Sequence, residues 1–175
     1  MPILPGNKFD FRRNPAIQSV DNFLSTVDAG GNSYICGYTP VRTNKPLDLD
    51  PGTGELFFKG PGIFVQKNDA NGKFVWARII DGPITCHALY ADSDGSLWIT
   101  GLAADSLDMD PGLNKSSTSK EGLIGMYCQQ FSGDGNVTSF LFINTVSQSK
   151  RESNSPLIKS TAIVTSPTSL YITGT

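Results

Sequence analysis

DAGGNSYICGY, residues 28–38, sets the pattern from which the rest of the chain is read. Its first five residues place Asp, Gly and Asn where a tight hairpin turn needs positive φ, and the next six form a β-type run. Three further clusters, DANGK (69–73), DSDGS (92–96) and SGDGN (132–136), share that character, and a strand-like run follows each of them. Aligned on Gly31, Gly72, Gly95 and Gly135, the clusters alternate between spacings of roughly forty and roughly twenty-three residues. That alternation defines a repeat of about sixty-three residues with two hairpins in it.

The apolar runs around the turns fall into four classes. FLSTV (23–27), CHALYA (86–91) and TAIVT (161–165) precede the first turn of a pair, and SYICGY (33–38), SLWITGL (96–102) and SLYITGT (169–175) follow it. GIFVQKND (62–69) and GMYCQQFS (125–132) precede the second turn, and KFVWARII (73–80) and NVTSFLFI (136–143) follow it. Each unit is therefore expected to hold four antiparallel strands, A-turn-B, a long connection, then C-turn-D. GNKFDFRR (6–13) echoes NGKFVWAR (71–78), with Lys8, Phe9, Phe11 and Arg13 matching Lys73, Phe74, Trp76 and Arg78. On this pattern the chain opens on the D strand of a missing unit and closes after strand B of a third, eleven strands in all.

Composition narrows the function classes. Of the 175 residues 17% are charged, Gly numbers 18 and Pro 11, which favours short strands and many turns over long amphipathic helices. Net charge is −2 and no Lys/Arg-rich run stands out, so a nucleic-acid surface is not expected, because phosphate binding needs concentrated positive charge. No apolar run reaches the roughly eighteen residues of a membrane span. The start, MPILPGNKFDFRR, lacks the apolar core of a signal peptide. Cys36, Cys86 and Cys128 are too few for a disulfide framework, contain no C-x-x-C pair and are read as small apolar strand residues.

Four-stranded antiparallel units repeated at this period are the signature of a β-propeller, whose sheets bury both faces against their neighbours. The phrases GNSYICG (31–37), LDLDPG (47–52) and IFVQKNDANGKFVWA (63–77) resemble the bacterial seven-bladed β-propeller repeats called SBBP repeats. The second unit keeps SLWITG and LDMDPG, but Gln129 and Gln130 stand where the family has a basic position, and Phe140 stands where it has alanine. The resemblance implies an all-β fold of four-stranded blades in an incomplete ring. Residues 1–15 would be the outer strand of a preceding blade, 16–82 blade 1, 83–157 blade 2, and 158–175 the first hairpin of a third. It also implies an extracellular or cell-surface setting and a non-catalytic interaction or scaffold role, the alternative being a fragment of a propeller hydrolase or lyase acting on a carbohydrate or other polymer. A closed propeller needs at least four blades. Truncation ranks ahead of closure by oligomerisation and of a small open assembly, and open blade edges would invite self-association.

The repeated phrase Asp-x-Asp-Pro-Gly is the main candidate for chemistry. Asp48 and Asp50, like Asp108 and Asp110, are spaced i, i+2, which in an extended segment puts both carboxylates on one side. Such oxygens suit Ca²⁺, but they fill a minority of its shell, and Pro51 and Pro111 begin a turn. A structural turn is the preferred reading, a calcium site the second and a catalytic dyad the last. DSDG (92–95) resembles half a calcium loop at a place where a hairpin turn is already required. His87 is the one histidine, expected in strand A beside Cys86, and adjacent strand residues point to opposite faces and cannot form a dyad. No catalytic residue and no other cofactor is therefore expected. Tyr34, Trp98, Tyr171, Phe64, Trp76 and Tyr127 recur as packing positions, with carbohydrate stacking on an exposed ring as the minor alternative. Partners would be a protein or carbohydrate surface. The polar stretch 144–160, with Lys150 and Arg151, is read as a solvated connection between units.

Overall fold

Four hairpin turns of one design order the molecule. Gly31, Gly72, Gly95 and Gly135 have φ of 84°, 80°, 81° and 78°, a left-handed conformation that costs a residue without Cβ little. In each turn the glycine N–H donates to the carbonyl three residues earlier, and that same earlier residue donates its N–H to the carbonyl just past the glycine. The pairs are Asp28 and Asn32, Asp69 and Lys73, Asp92 and Ser96, and Ser132 and Asn136. This is the three-residue hairpin loop that ends on a left-handed glycine, and it fixes the register of the strands on either side.

The structure, a computed structural model, describes residues 22–39, 44, 46–50, 54–104, 107–110, 124–144, 160–166 and 169–174. Twelve strands lie among these: β1 Asn22–Val27, β2 Ser33–Thr39, β3 Leu47–Asp48, β4 Phe57–Phe58, β5 Gly62–Asn68, β6 Phe74–Asp81, β7 Ala88–Ala91, β8 Leu97–Ala104, β9 Ile124–Phe131, β10 Val137–Asn144, β11 Ser160–Ser166 and β12 Ser169–Gly174. They form a first four-stranded sheet β1-β2-β5-β6, a second β7-β8-β9-β10, and two hairpins, β3-β4 and β11-β12. Every pairing is antiparallel. The fold is all-β, as expected, and each sheet runs in the chain order A-B-C-D. Among the described residues no sheet closes into a ring. The expected strand at 6–13 and the polar stretch around Lys150 lie outside the described residues.

Two details differ from expectation. β3 and β4 add a small hairpin inside the B-to-C connection of the first unit. It forms because Leu47 and Phe58 are both buried, in a cluster with Leu49, Ile35, Phe64 and Ala77 against one face of the first sheet. Strand A of the second unit begins at Ala88, so Cys86 and His87 precede it, although the His87 N–H still donates to the Thr100 carbonyl at 2.7 Å.

Registers show which faces meet, because directly opposed residues in a ladder share a face. One face of the first sheet carries the rows Tyr34–Lys67–Trp76, Cys36–Val65–Arg78 and Tyr38–Ile63–Ile80. The second sheet offers Leu89–Ile99–Gln129–Phe140 and Gly101–Tyr127–Phe142. The apolar members of all these rows form a single core cluster. Counted from the turn glycines, Ile99, Gln129 and Phe140 correspond to Ile35, Gln66 and Ala77, which lie on the far face of the first sheet. The sheets therefore stack front to back, not face to like face. The leading strands neighbour one another as well, β1 beside β7 and β7 beside β11.

Candidate functional site

The paired aspartates are built by alternation. Leu47 and Leu49 are buried while Asp48 and Asp50 are half-buried, and Leu107 and Met109 are buried beside the outward Asp108 and Asp110. Apolar side chains facing inward thus place both acids of each pair on the outer side. The Asp48 Oδ1 accepts the N–H of Asp50 at 3.0 Å and that of Leu56 at 3.2 Å, and Asp108 Oδ1 accepts the Asp110 N–H at 3.1 Å. In each pair the first carboxylate closes a local turn by holding the N–H two residues on, which is what aspartate does at such positions. Pro51 and Pro111 lie outside the described residues.

Each pair is anchored to its own sheet. Leu49 donates its N–H to the Leu56 carbonyl at 2.8 Å and packs among Phe58 and Phe64. In the second unit the buried Gln129 donates through Nε2 to the Met109 carbonyl, and Leu107 fills the space beside Gly82 that a Cβ would occupy. In the sequence Gln129 stands out only as a departure from a repeat pattern; its counterpart Gln66 donates instead to Asn68 Oδ1 at 3.0 Å, so the repeat carries no sign of the connection-holding role. The structure assigns the two acid pairs to separate apolar settings. Among the described residues no three His, Cys, Asp or Glu side chains gather as a metal-ligating set. The DSDG segment is a hairpin turn in which Asp92 and Asp94 hold the N–H groups of Ser93 and Ser96 at 2.7 and 2.8 Å.

A second cluster, which sequence reasoning missed, is the joint where the first sheet grips the two turns of the second. The Trp76 Nε1–H and the Lys67 ammonium both donate to the Gly133 carbonyl, at 2.9 and 3.1 Å. Arg78 donates to the Asp134 carbonyl at 3.4 Å with its guanidinium over the Trp76 ring, and the Lys67 ammonium sits 5.2 Å from the Tyr34 ring centre. Trp76 packs edge-on against Tyr34 and tilted against Phe131. A Cβ on Gly135 would lie 2.6 Å from the Trp76 ring, so this glycine is required by the close approach as well as by its backbone.

The Tyr34 hydroxyl lies 3.0 Å from both the Asp28 carboxylate and the Gly95 carbonyl, and its single proton can serve one of them at a time. Burial raises the Asp28 carboxyl, but hydrogen bonds from the Asn32 side chain and backbone, Tyr34 and Gly30 outweigh it and hold the group below its ordinary value. Burial, followed by the bond to Asp28 and the nearby charges of Asp28 and Asp94, pushes the Tyr34 phenol well up. The hydroxyl therefore stays protonated and donates either to Asp28 in its own turn or to the Gly95 carbonyl in a turn of the second sheet.

The remaining sequence candidates take packing roles. Tyr34, Phe64, Trp76 and Tyr127 are buried, and Trp98 is half-buried. The Tyr171 side chain lies outside the described residues. His87 Nε2 is 3.0 Å from Thr85 Oγ1, while Cys86 packs toward the core, so the two do not act on a common point. No family model, no curated protein and no solved structure matches this chain.

Proposed function

We propose that the chain is a stretch of a β-propeller of the SBBP-repeat kind, serving outside the cell as a non-catalytic interaction or scaffold module. The observation that carries this is the front-to-back joint. The face that the second sheet turns toward the first corresponds, residue for residue, to the face that the first sheet turns away from it. A contact between unlike faces can be repeated by every further unit, which is how blades follow one another around an axis. The neighbouring leading strands, β1, β7 and β11, suit the axial side of such an arrangement.

The scaffold role is supported by how the reactive groups are used. The first aspartate of each pair binds its own turn, and Cys36 and Cys128 are buried thiols whose pKa burial raises, Cys128 to about 11. A glycan array and a panel of surface proteins, run beside a broad hydrolase and lyase screen, test the proposal. Binding without turnover is the expected outcome. Reproducible cleavage of any polymer, lost on mutation of a carboxylate, would replace the scaffold with the enzyme alternative.

A further inference from the structure

Two thiols meet across the joint. Cys36 lies in the row Cys36–Val65–Arg78 of the first sheet, on the face that meets the second sheet. Cys86 lies in the segment entering β7, and its position is set on both sides. Thr85 donates its N–H to the Leu102 carbonyl at 2.8 Å, and His87 donates to the Thr100 carbonyl at 2.7 Å. That segment presses so closely on β8 that a Cβ on Gly101 would lie 3.1 Å from the Cys86 Cα. Both are free cysteines, Cys36 inside the apolar cluster and Cys86 packed against it, close enough for the Cys86 thiol to act on that of Cys36, while the Cys86 Sγ–H reaches the Ala88 carbonyl at 3.6 Å. Cys36 is 2% exposed, whereas Cys86 is half-buried. Cys128 belongs to the row Thr100–Cys128–Leu141, on the opposite face of the second sheet.

We propose that Cys36 and Cys86 form an intramolecular disulfide across the joint when the protein meets a small-molecule disulfide such as oxidised glutathione. The Cys86 thiolate attacks one sulfur of the reagent, forming a Cys86–glutathione mixed disulfide and releasing one glutathione thiolate, which takes up a proton. Cys36 then loses its proton, its sulfur attacks the Cys86 sulfur, and the second glutathione leaves as a thiol. Two protein thiols are oxidised by two electrons and one glutathione disulfide is reduced to two thiols, so the exchange balances. Burial, and then contact with Cys86, pushes the Cys36 thiol well up, which makes the second step the slower one and quickens it as pH rises. The bond would close a loop of about fifty residues and lock the first sheet to the second.

The test treats the whole chain with oxidised glutathione and follows intact mass, peptide maps and thermal unfolding. The expected product has lost two hydrogens, maps to Cys36–Cys86, melts about 5–10 °C higher and reverts with dithiothreitol. Cys128→Ala should leave the link in place. Cys36→Ala should stop at the Cys86 mixed disulfide, which reports thiol access independently of the link. A wild-type chain that ends as a mixed disulfide, links through Cys128, or cross-links only between molecules overturns the proposal.

Discussion

Trp76 gathers several contacts of the joint at one residue: a donor to Gly133, ring contacts with Tyr34 and Phe131, and a face for Arg78. Trp76→Ala is expected to cost about 3–5 kcal/mol, in line with emptying a large aromatic site. Trp76→Phe keeps most of the packing and, with Lys67 still donating to Gly133, should cost about 1–2 kcal/mol in urea unfolding. Asp28 gives a pH signature. Its carboxyl is lower in the folded state than its ordinary value of 3.8, so its contribution is complete above that value. It is lost as pH falls through the lower, folded value. Asp28→Asn should therefore flatten the acid side of the stability curve below about pH 4. An acid limb superimposable on the wild type's would show that some other carboxylate sets it. None of the joint could be seen in the sequence, because Lys67 and Trp76 reach carbonyls 66 and 57 residues away. The turn glycines were legible, since their requirement is local.

At the scale of elements, the Asp-x-Asp segments are edges of the core that double as turns. Alternation made the same-side placement of the acids readable, but the burial of Leu49 and Met109 depends on which face the connection crosses, and periodicity over four residues does not carry that information. β3 and β4 escaped notice for the same reason, two residues each being too short to show a period. Asp48→Asn keeps an acceptor for the N–H groups of Asp50 and Leu56 and should change stability by less than about 1 kcal/mol, while Asp48→Ala should cost about 1–2 kcal/mol. If the acids serve only the turn, millimolar calcium leaves the melting temperature of the wild type unmoved. A calcium-dependent rise that Asp48→Asn abolishes would instead establish the cation site. The units also differ in grip: where the first has Lys67 and Trp76, the second has Gln130 and Ser139 at the matching places after alignment on the turn glycines. The second unit therefore has a weaker hold to offer on its forward side.

Across the whole molecule, the two sheets differ in how well their forward faces are covered. Ile80 is 1% exposed beneath the second sheet, while Ile143, at its equivalent position, is 45% exposed and Leu141 is 51% exposed. Uncovered apolar side chains on an outermost strand favour pairing with another molecule. Light scattering should accordingly show association that grows with concentration. Replacing both residues (Leu141→Lys with Ile143→Lys) should suppress it while shifting stability by no more than about 1 kcal/mol. A wild-type chain that stays monodisperse and monomeric at high concentration would remove self-association from the account.

The front-to-back joint also limits what kind of symmetry can exploit it. An isologous pair brings identical patches together about a two-fold axis, and this joint is made from two patches that differ. Copies meeting through it would have to queue in one sense, each offering its back to the next one's front. Such a queue ends only in a ring or a filament, so a simple two-fold dimer of this chain must be built on some other surface.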